Sequence, residues 1–225
     1  METGKVLIYI VKTVLSTIAM AVILFASAGT PDWAAGWAYV GLVSIGTVAS
    51  MLIVDTELLA ERSQVGQGAQ TIDVVLAVTM ARVGPAAIAA VAGLDLRFGW
   101  MPEIPRVLSA AGMLGMILGY AIGMWAMASN KFFSGVVRIQ SERGHEVVTG
   151  GPYAIVRHPG YAGTILAVLG TPLMLGSMWA LIPAAATIGV IIARTALEDR
   201  TLMQCLSGYK AYARCVRCRL LPGVW

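Results

Sequence analysis

The stretch Gly151–Arg200, "GPYAIVRHPGYAGTILAVLGTPLMLGSMWALIPAAATIGVIIARTALEDR", decides how this chain must fold. It opens on a polar joint, Gly151–Gly163, that crowds Tyr153, Arg157, His158 and Tyr161 among glycines and prolines. Two apolar runs follow, near 160–176 and 178–195, separated only by Gly176 and Ser177, and a second polar joint begins at Arg194. Pro172 and Pro183 lie inside the runs. A helical hairpin buried among other helices tolerates such prolines, because neighbouring groups satisfy the backbone that proline frees. A hairpin also returns the chain to the side it left. The residues around His158 and around Glu198 are therefore expected at similar depth, lining one cleft.

The rest of the chain agrees with this reading. Of 225 residues, 58% are hydrophobic and only 12% charged, about half the charge of an average soluble domain. Apolar runs of about 20 residues, enough to cross a hydrocarbon core of about 30 Å, also occur near 6–28, 35–54, 72–93 and 106–128. The predicted fold is all-α: a polytopic helical membrane protein of about six transmembrane helices. Residues 1–130 form the N-terminal transmembrane helices, and 131–225 carry the long polar loop, the hairpin and a polar tail, all in one integrated domain.

Ala26-Ser27-Ala28 has the look of a signal-peptidase site, but the preceding run is long, contains Lys12 and is followed by further spans, so a retained first helix is expected. With the N-terminus inside, Lys5, Arg62, Lys131, Arg138, Arg143, Arg157, Arg194, Arg200, Lys210, Arg214, Arg217 and Arg219 fall on the cytoplasmic side, and only Arg97 and Arg106 outside. The net charge of +4 thus reports membrane orientation, and no nucleic acid is expected as partner. Lys12 and Arg82, within spans, must snorkel or pair. Gly115, Gly119 and Gly123, four apart, predict close approach of a neighbouring helix. The Cys215–Cys218 pair lacks the further ligands of a structural zinc site; no metal is expected, and Cys205, Cys215 and Cys218 read as free thiols.

The polar segments are 131–159 and 196–225. Val136–Gln140 and Glu146–Val148 look extended and predict a short hairpin or paired loop over the membrane face, whereas Thr195–Arg214 suits an amphipathic helix continuing out of the last span. Arg194 and Glu198, four apart, share a helical face. They form either an intrahelical ion pair or a functional pair at the boundary, with the guanidinium holding a carboxylate at two points. His158 alone fits a cap of the following helix, with Pro159 at its first position, and Tyr153 and Tyr161 alone fit an interfacial aromatic belt.

Taken together, "GPYAIVRHPGYAG", "ARTALEDRTL" and "GYKAYARCVRCRLLPGVW" resemble, in the right order around a hairpin, the C-terminal half of the isoprenylcysteine carboxyl methyltransferase family. These are integral membrane enzymes that use S-adenosylmethionine. The resemblance covers roughly residues 136–225; residues 1–130 match only as generic spans. It implies that Gln140, His145, Glu146, Val147, Val148, Tyr153, His158, Pro159, Gly160 and Tyr161 contact the cofactor, that Glu198 closes the pocket from the far side of the hairpin, and that Arg194 faces the substrate as the catalytic residue. Tyr209, Tyr212 and Arg219 match the tail pattern that covers the site. The family's Glu-Glu pair is Glu198-Asp199 here, the loop from Gln140 to His145 is shorter than in eukaryotic members, and Cys218 stands where bacterial relatives often carry an aromatic.

The implied activity is methyl transfer from S-adenosylmethionine to a lipophilic acceptor, foremost the C-terminal carboxylate of an isoprenylcysteine, with membrane lipid as the surroundings. A lateral opening between spans would admit the acceptor. Two other readings stay open: a sterol- or steroid-reductase-like enzyme using NADPH, similar in this terminal region, and a small transporter in which Arg82, Arg194 and Glu198 are pathway charges.

Overall fold

The computed structural model describes residues 2–53, 71–100, 102 and 104–225, and among them every regular element is a helix. These are α1 (Glu2–Ala28), α2 (Ala34–Ile53), α3 (Thr71–Phe98), α4 (Arg106–Ser129), α5 (Pro159–Leu175), α6 (Leu181–Cys205) and α7 (Tyr209–Cys215). Arg62 and the last residue of the predicted second span, Val54, lie outside the described residues. α1 to α4 and α6 are long and apolar enough to cross a membrane, so the chain is a polytopic helical membrane protein. α5, the remaining predicted span, has 17 residues and reaches only about 25 Å.

The shortness of α5 has a local cause. His158, before Pro159, has a non-helical backbone (φ −128°, ψ 62°), as the proline ring requires of its predecessor. The Arg157 and His158 N–H groups are also committed to the Cys218 and Arg219 carbonyls at 3.0 and 2.9 Å. At the other end Gly176 turns the chain at φ 79°, a left-handed cap that costs glycine little.

The tightest seam in the bundle joins α4 to α5 rather than the two arms of the hairpin. A Cβ on Gly112 would sit 2.5 Å from the Met174 nitrogen, one on Gly119 2.5 Å from the Gly163 carbonyl oxygen, and one on Gly163 2.5 Å from the Gly119 oxygen. Glycines two turns apart on both helices thus let the backbones touch. The predicted series faces this seam: Gly119 stands at its tightest point, Gly115 makes ordinary contact with Gly170 and Leu166 at 3.8 Å, and the Gly123 backbone nitrogen would lie 3.0 Å from a Cβ on Gly163.

α3 is continuous but widens into a π turn at Thr79–Val83, just before Pro85; the wider turn accommodates a residue with no N–H to donate. Its far end is tied to the hairpin bend by the Ser177 hydroxyl, which donates to Asp95 Oδ2 at 2.6 Å. α1 packs along α3, and Ala26-Ser27-Ala28 lies within its last turn, against Gly93. Lys12 and Arg82 both sit on exposed faces.

Two loop expectations change. The segment 136–148 is irregular, with one 3-10 turn at Ser141–Arg143. The Val137 N–H is drawn to Asp73 Oδ2 at 2.6 Å instead of to a facing strand, and only Gln140 and His145 close on one another, through His145 N–H to the Gln140 carbonyl at 3.3 Å. The tail is not one continuous helix either: α6 ends at Cys205, Leu206 is extended, Gly208 turns at φ 83°, and α7 starts afresh.

Candidate active site

The joint before α5 and the tail after α6 are locked together by one buried carboxylate. Asp199, 1% exposed, accepts from Arg157 Nε at 2.8 Å and Arg157 Nη2 at 3.1 Å, from Arg219 Nε at 2.9 Å and from the Tyr209 hydroxyl at 2.9 Å. His158 Nε2 lies 3.2 Å from Asp199 Oδ1. Arg157 spends its third nitrogen, Nη1, on the Val216 and Arg217 carbonyls. The sequence reading missed this role of Asp199 and gave Arg157 none; a carboxylate ringed by arginines from both polar joints cannot be foreseen until the hairpin is closed.

One residue earlier on α6, Glu198 points elsewhere. It lines a cavity of about 260 Å³ between the loop 130–148, the joint and α6, and its Oε2 accepts a short hydrogen bond from the Tyr161 hydroxyl. Of the residues named from the sequence, the cavity brings together His145, Glu146, Val147, Val148, Tyr153, His158, Gly160, Tyr161, Arg194 and Glu198. Gln140 and Pro159 do not line it. Gln140 is fully buried and braces the loop instead: its side-chain amide donates to the Phe132 carbonyl at 2.8 Å and its Oε1 accepts from Arg143 at 2.6 Å. Pro159 is buried at the start of α5. Phe132, Phe133 and Asn130 join the lining without having been anticipated.

Arg194 and Glu198 do not form the intrahelical pair that their spacing allowed. Arg194, 3% exposed, donates from Nε to Asp73 Oδ1 at 2.9 Å and from Nη2 to the Gly135 carbonyl at 2.8 Å, with Asp73 Oδ2 at 3.5 Å. Its guanidinium carbon stands 5.6 Å from the centre of the Tyr161 ring. Two of its three nitrogens are therefore engaged, and Nη1 alone has no partner among the described residues. A two-point clamp through Nε and Nη2 is not available; a contact through the two N–H groups of Nη1 is. Asp73, 4% exposed, lies in the first turn of α3, 121 residues from Arg194. In sequence it reads as an ordinary charge at a helix start.

Outside the membrane-spanning helices, burial sets the protonation states. His145 is held below its ordinary range mainly by desolvation, with Arg138 and Arg143 adding to the effect and Glu198 and Glu142 opposing it. Its Nδ1 accepts from the Gln140 N–H at 3.2 Å, as a neutral imidazole can. Tyr212 is pushed up to about 12 by burial, and its hydroxyl donates to the Tyr153 carbonyl at 2.7 Å.

A second cavity, of about 350 Å³, adjoins the first. Met80, Ala81, Phe133, Gly160 and Thr164 line both. It runs away from the polar joints between α2, α3, α4 and α5. The Phe133 ring at the junction rests on Gly160, where a Cβ would come within 2.8 Å of the ring.

Residues 107–207 match the sequence profile of the phospholipid methyltransferase family. The chain is also similar to a probable protein-S-isoprenylcysteine O-methyltransferase of Oryza sativa subsp. indica, 36% identical over 77 residues, covering 33% of this chain and 40% of that protein. It is similar to the protein-S-isoprenylcysteine O-methyltransferase of Rattus norvegicus, 39% identical over 79 residues, covering 33% and 27%. A third relative is protein-S-isoprenylcysteine O-methyltransferase B of Arabidopsis thaliana, 35% identical over 69 residues, covering 30% and 35%. The chain thus matches less than half the length of each of these relatives.

Proposed function

We propose that this chain is a membrane-embedded methyltransferase of the isoprenylcysteine carboxyl methyltransferase family, transferring a methyl group from S-adenosylmethionine to the carboxylate of a lipophilic acceptor such as an isoprenylcysteine. The observation that carries the reading is the pair of adjoining cavities, one loop-walled and bearing the charged side chains, the other more apolar and among the spans, meeting at Gly160 and Thr164.

The first cavity fits a sulfonium donor by its chemistry. Glu198 offers a carboxylate to a cation, and Phe133 and Tyr153 add aromatic rings to the same wall, a surface that attracts cations in desolvated sites. His145, Glu146, Val147, Val148, His158 and Gly160 supply the remaining wall, while Gln140 and Pro159 act by fixing the loop and the helix start. When bound, S-adenosylmethionine supplies an electrophilic methyl group that leaves as part of a methyl ester, with a neutral thioether as the other product.

An acceptor carboxylate is already ionised at neutral pH, so no residue has to remove a proton. Arg194 Nη1 is the group suited to orient it, and the fixed wall restricts the approach to one line, the positional advantage on which such a transfer depends. Phe133 and the apolar side chains at the junction exclude water from the anion. The orientation that agrees with the basic residues puts both termini in the cytoplasm; the polar donor then arrives from water and the acceptor from the bilayer.

The test is turnover of a prenylcysteine analogue by purified protein supplied with radiolabelled S-adenosylmethionine. The expected result is a base-labile methyl ester on the analogue, lost in Glu198→Gln. Absence of label from every lipidic carboxylate offered, with donor bound, would refute the acceptor class.

A further inference from the structure

The second cavity is not uniformly apolar. Tyr39 of α2 and Tyr120 of α4 both line it, and Tyr39 is only 4% exposed. Neither hydroxyl has a hydrogen-bond partner among the described residues, and neither is sealed from its surroundings; each keeps accessible surface on a residue that lines the cavity. Of the other hydroxyls of the wall, that of Thr47 also has no partner among the described residues, whereas three behave differently. Ser50, Thr164 and Thr171 each donate to a carbonyl of their own helix at 2.8 Å, as hydroxyls in an apolar helix ordinarily do. A buried tyrosine normally finds a partner for its O–H, and inside a membrane the incentive is greater because no bulk water is at hand.

The fold holds this arrangement in place. The Tyr120 ring lies across α2 at Gly46, where a Cβ would approach it to 3.3 Å, so the glycine makes room for the ring. Along α2 the wall runs from Ser50, at the end of the helix that leads toward α3 and the polar joints, to Tyr39, 11 residues and about 16 Å away. On α3 the junction residues Met80 and Ala81 lie toward the polar end, and Ile88 lies deeper. Tyr39 thus stands at the end of the α2 wall opposite Ser50.

We infer that this cavity selects an acceptor lipid whose chain carries a hydrogen-bond-accepting oxygen (ether, keto or hydroxyl) part-way along its length, received by the Tyr39 and Tyr120 hydroxyls. This rests on the methyltransferase reading for the acceptor's reacting end and narrows the class of its tail. A plain hydrocarbon chain filling the cavity would displace water from both hydroxyls and return nothing, a cost that grows in an apolar site. An oxygen at the right depth satisfies the donors. A site built to hydrogen-bond a ligand discriminates strongly against the analogue that lacks the group.

The test uses the full-length protein in vesicles and a series of long-chain carboxylates of one length, either all-hydrocarbon or with one ether oxygen moved along the chain. Binding is read by displacement of a fluorescent fatty acid, independently of turnover, and kcat/KM is read alongside it. One member of the oxygen series is expected to bind about 10-fold or more tightly than the hydrocarbon. That preference should vanish in Tyr39→Phe combined with Tyr120→Phe, while the hydrocarbon binds as well or better. Preference for the hydrocarbon at every oxygen position, or a preference that survives both substitutions, overturns the inference. Donor titration on the same samples separates the two readings: a protein that binds no S-adenosylmethionine refutes the methyltransferase assignment, whereas the displacement series still decides the polarity of the cavity.

Discussion

Glu198 and Asp199 are neighbours on one helix, yet they belong to two regions built for different purposes. Around Asp199 every hydrogen-bond position is filled by the chain itself, with two arginines, a histidine and a tyrosine converging on one carboxylate. Around Glu198 a single tyrosine is in contact and the rest of the carboxylate faces a cavity. Saturation marks the lock that holds the joint against the tail; the open valence of Glu198 is what the proposed donor site rests on. The roughly 100° turn per helical residue sends adjacent acids to opposite sides of one wall.

This contrast is open to attack first at the lock. Replacing Asp199 by Ala leaves Arg157 and His158 buried and uncompensated, and breaking a buried ionic pair in this way costs about 3–5 kcal/mol. The expected result is a large fall in apparent melting temperature and loss of the α7–joint contact, measured by thermal unfolding in detergent and by protease sensitivity of the tail. Glu198→Gln, by contrast, keeps the Tyr161 hydrogen bond and should leave melting within a few degrees, while donor affinity falls about 10-fold or more, as expected for loss of a charge-assisted contact.

A subtler test concerns Asp73, which holds Arg194 from outside residues 107–207, the part that matches the phospholipid methyltransferase profile. Asp73→Asn should lower kcat/KM for the acceptor about 10-fold, a loss of the size of one hydrogen bond to a charged group. Donor affinity should be unchanged, and Asp73→Glu should restore part of the rate. Equal loss of donor binding in Asp73→Asn would make it a merely structural residue. The smallest effect is expected at His145, whose folded form resists protonation. Between its folded pKa and the ordinary value near 6.5, the unfolded chain binds the extra proton, so stability rises with pH through that window and falls as pH drops below about 6.5. Thermal unfolding across this range should show a shallower slope in His145→Gln.

The hairpin and the meeting of His158 with the Glu198 region were legible because a two-residue break between apolar runs leaves few other geometries. The role of Asp199 was not, because the pattern Glu-Asp carries no information about which side of α6 faces Arg157. The α4–α5 seam was half legible: an i, i+4 glycine series names a helix with a small face, but the facing glycines Gly163 and Gly170 decide where the approach is tightest. Asp73 escaped altogether, since its partner lies 121 residues on and the turn that joins them exists only in the folded bundle. The broken tail helix turns on Gly208, a residue that by itself only lowers helix propensity.

The measurement that bears most directly on the account is isothermal titration of S-adenosylmethionine into the folded wild-type protein beside Glu198→Gln, with melting temperature recorded for both. The account predicts saturable binding to wild type and weaker binding to an equally stable Glu198→Gln. No binding to folded wild type, or equal binding to both proteins, would contradict the assignment of the open carboxylate as the donor's site, and saturable binding of a nicotinamide cofactor in its place would direct the chemistry to reduction.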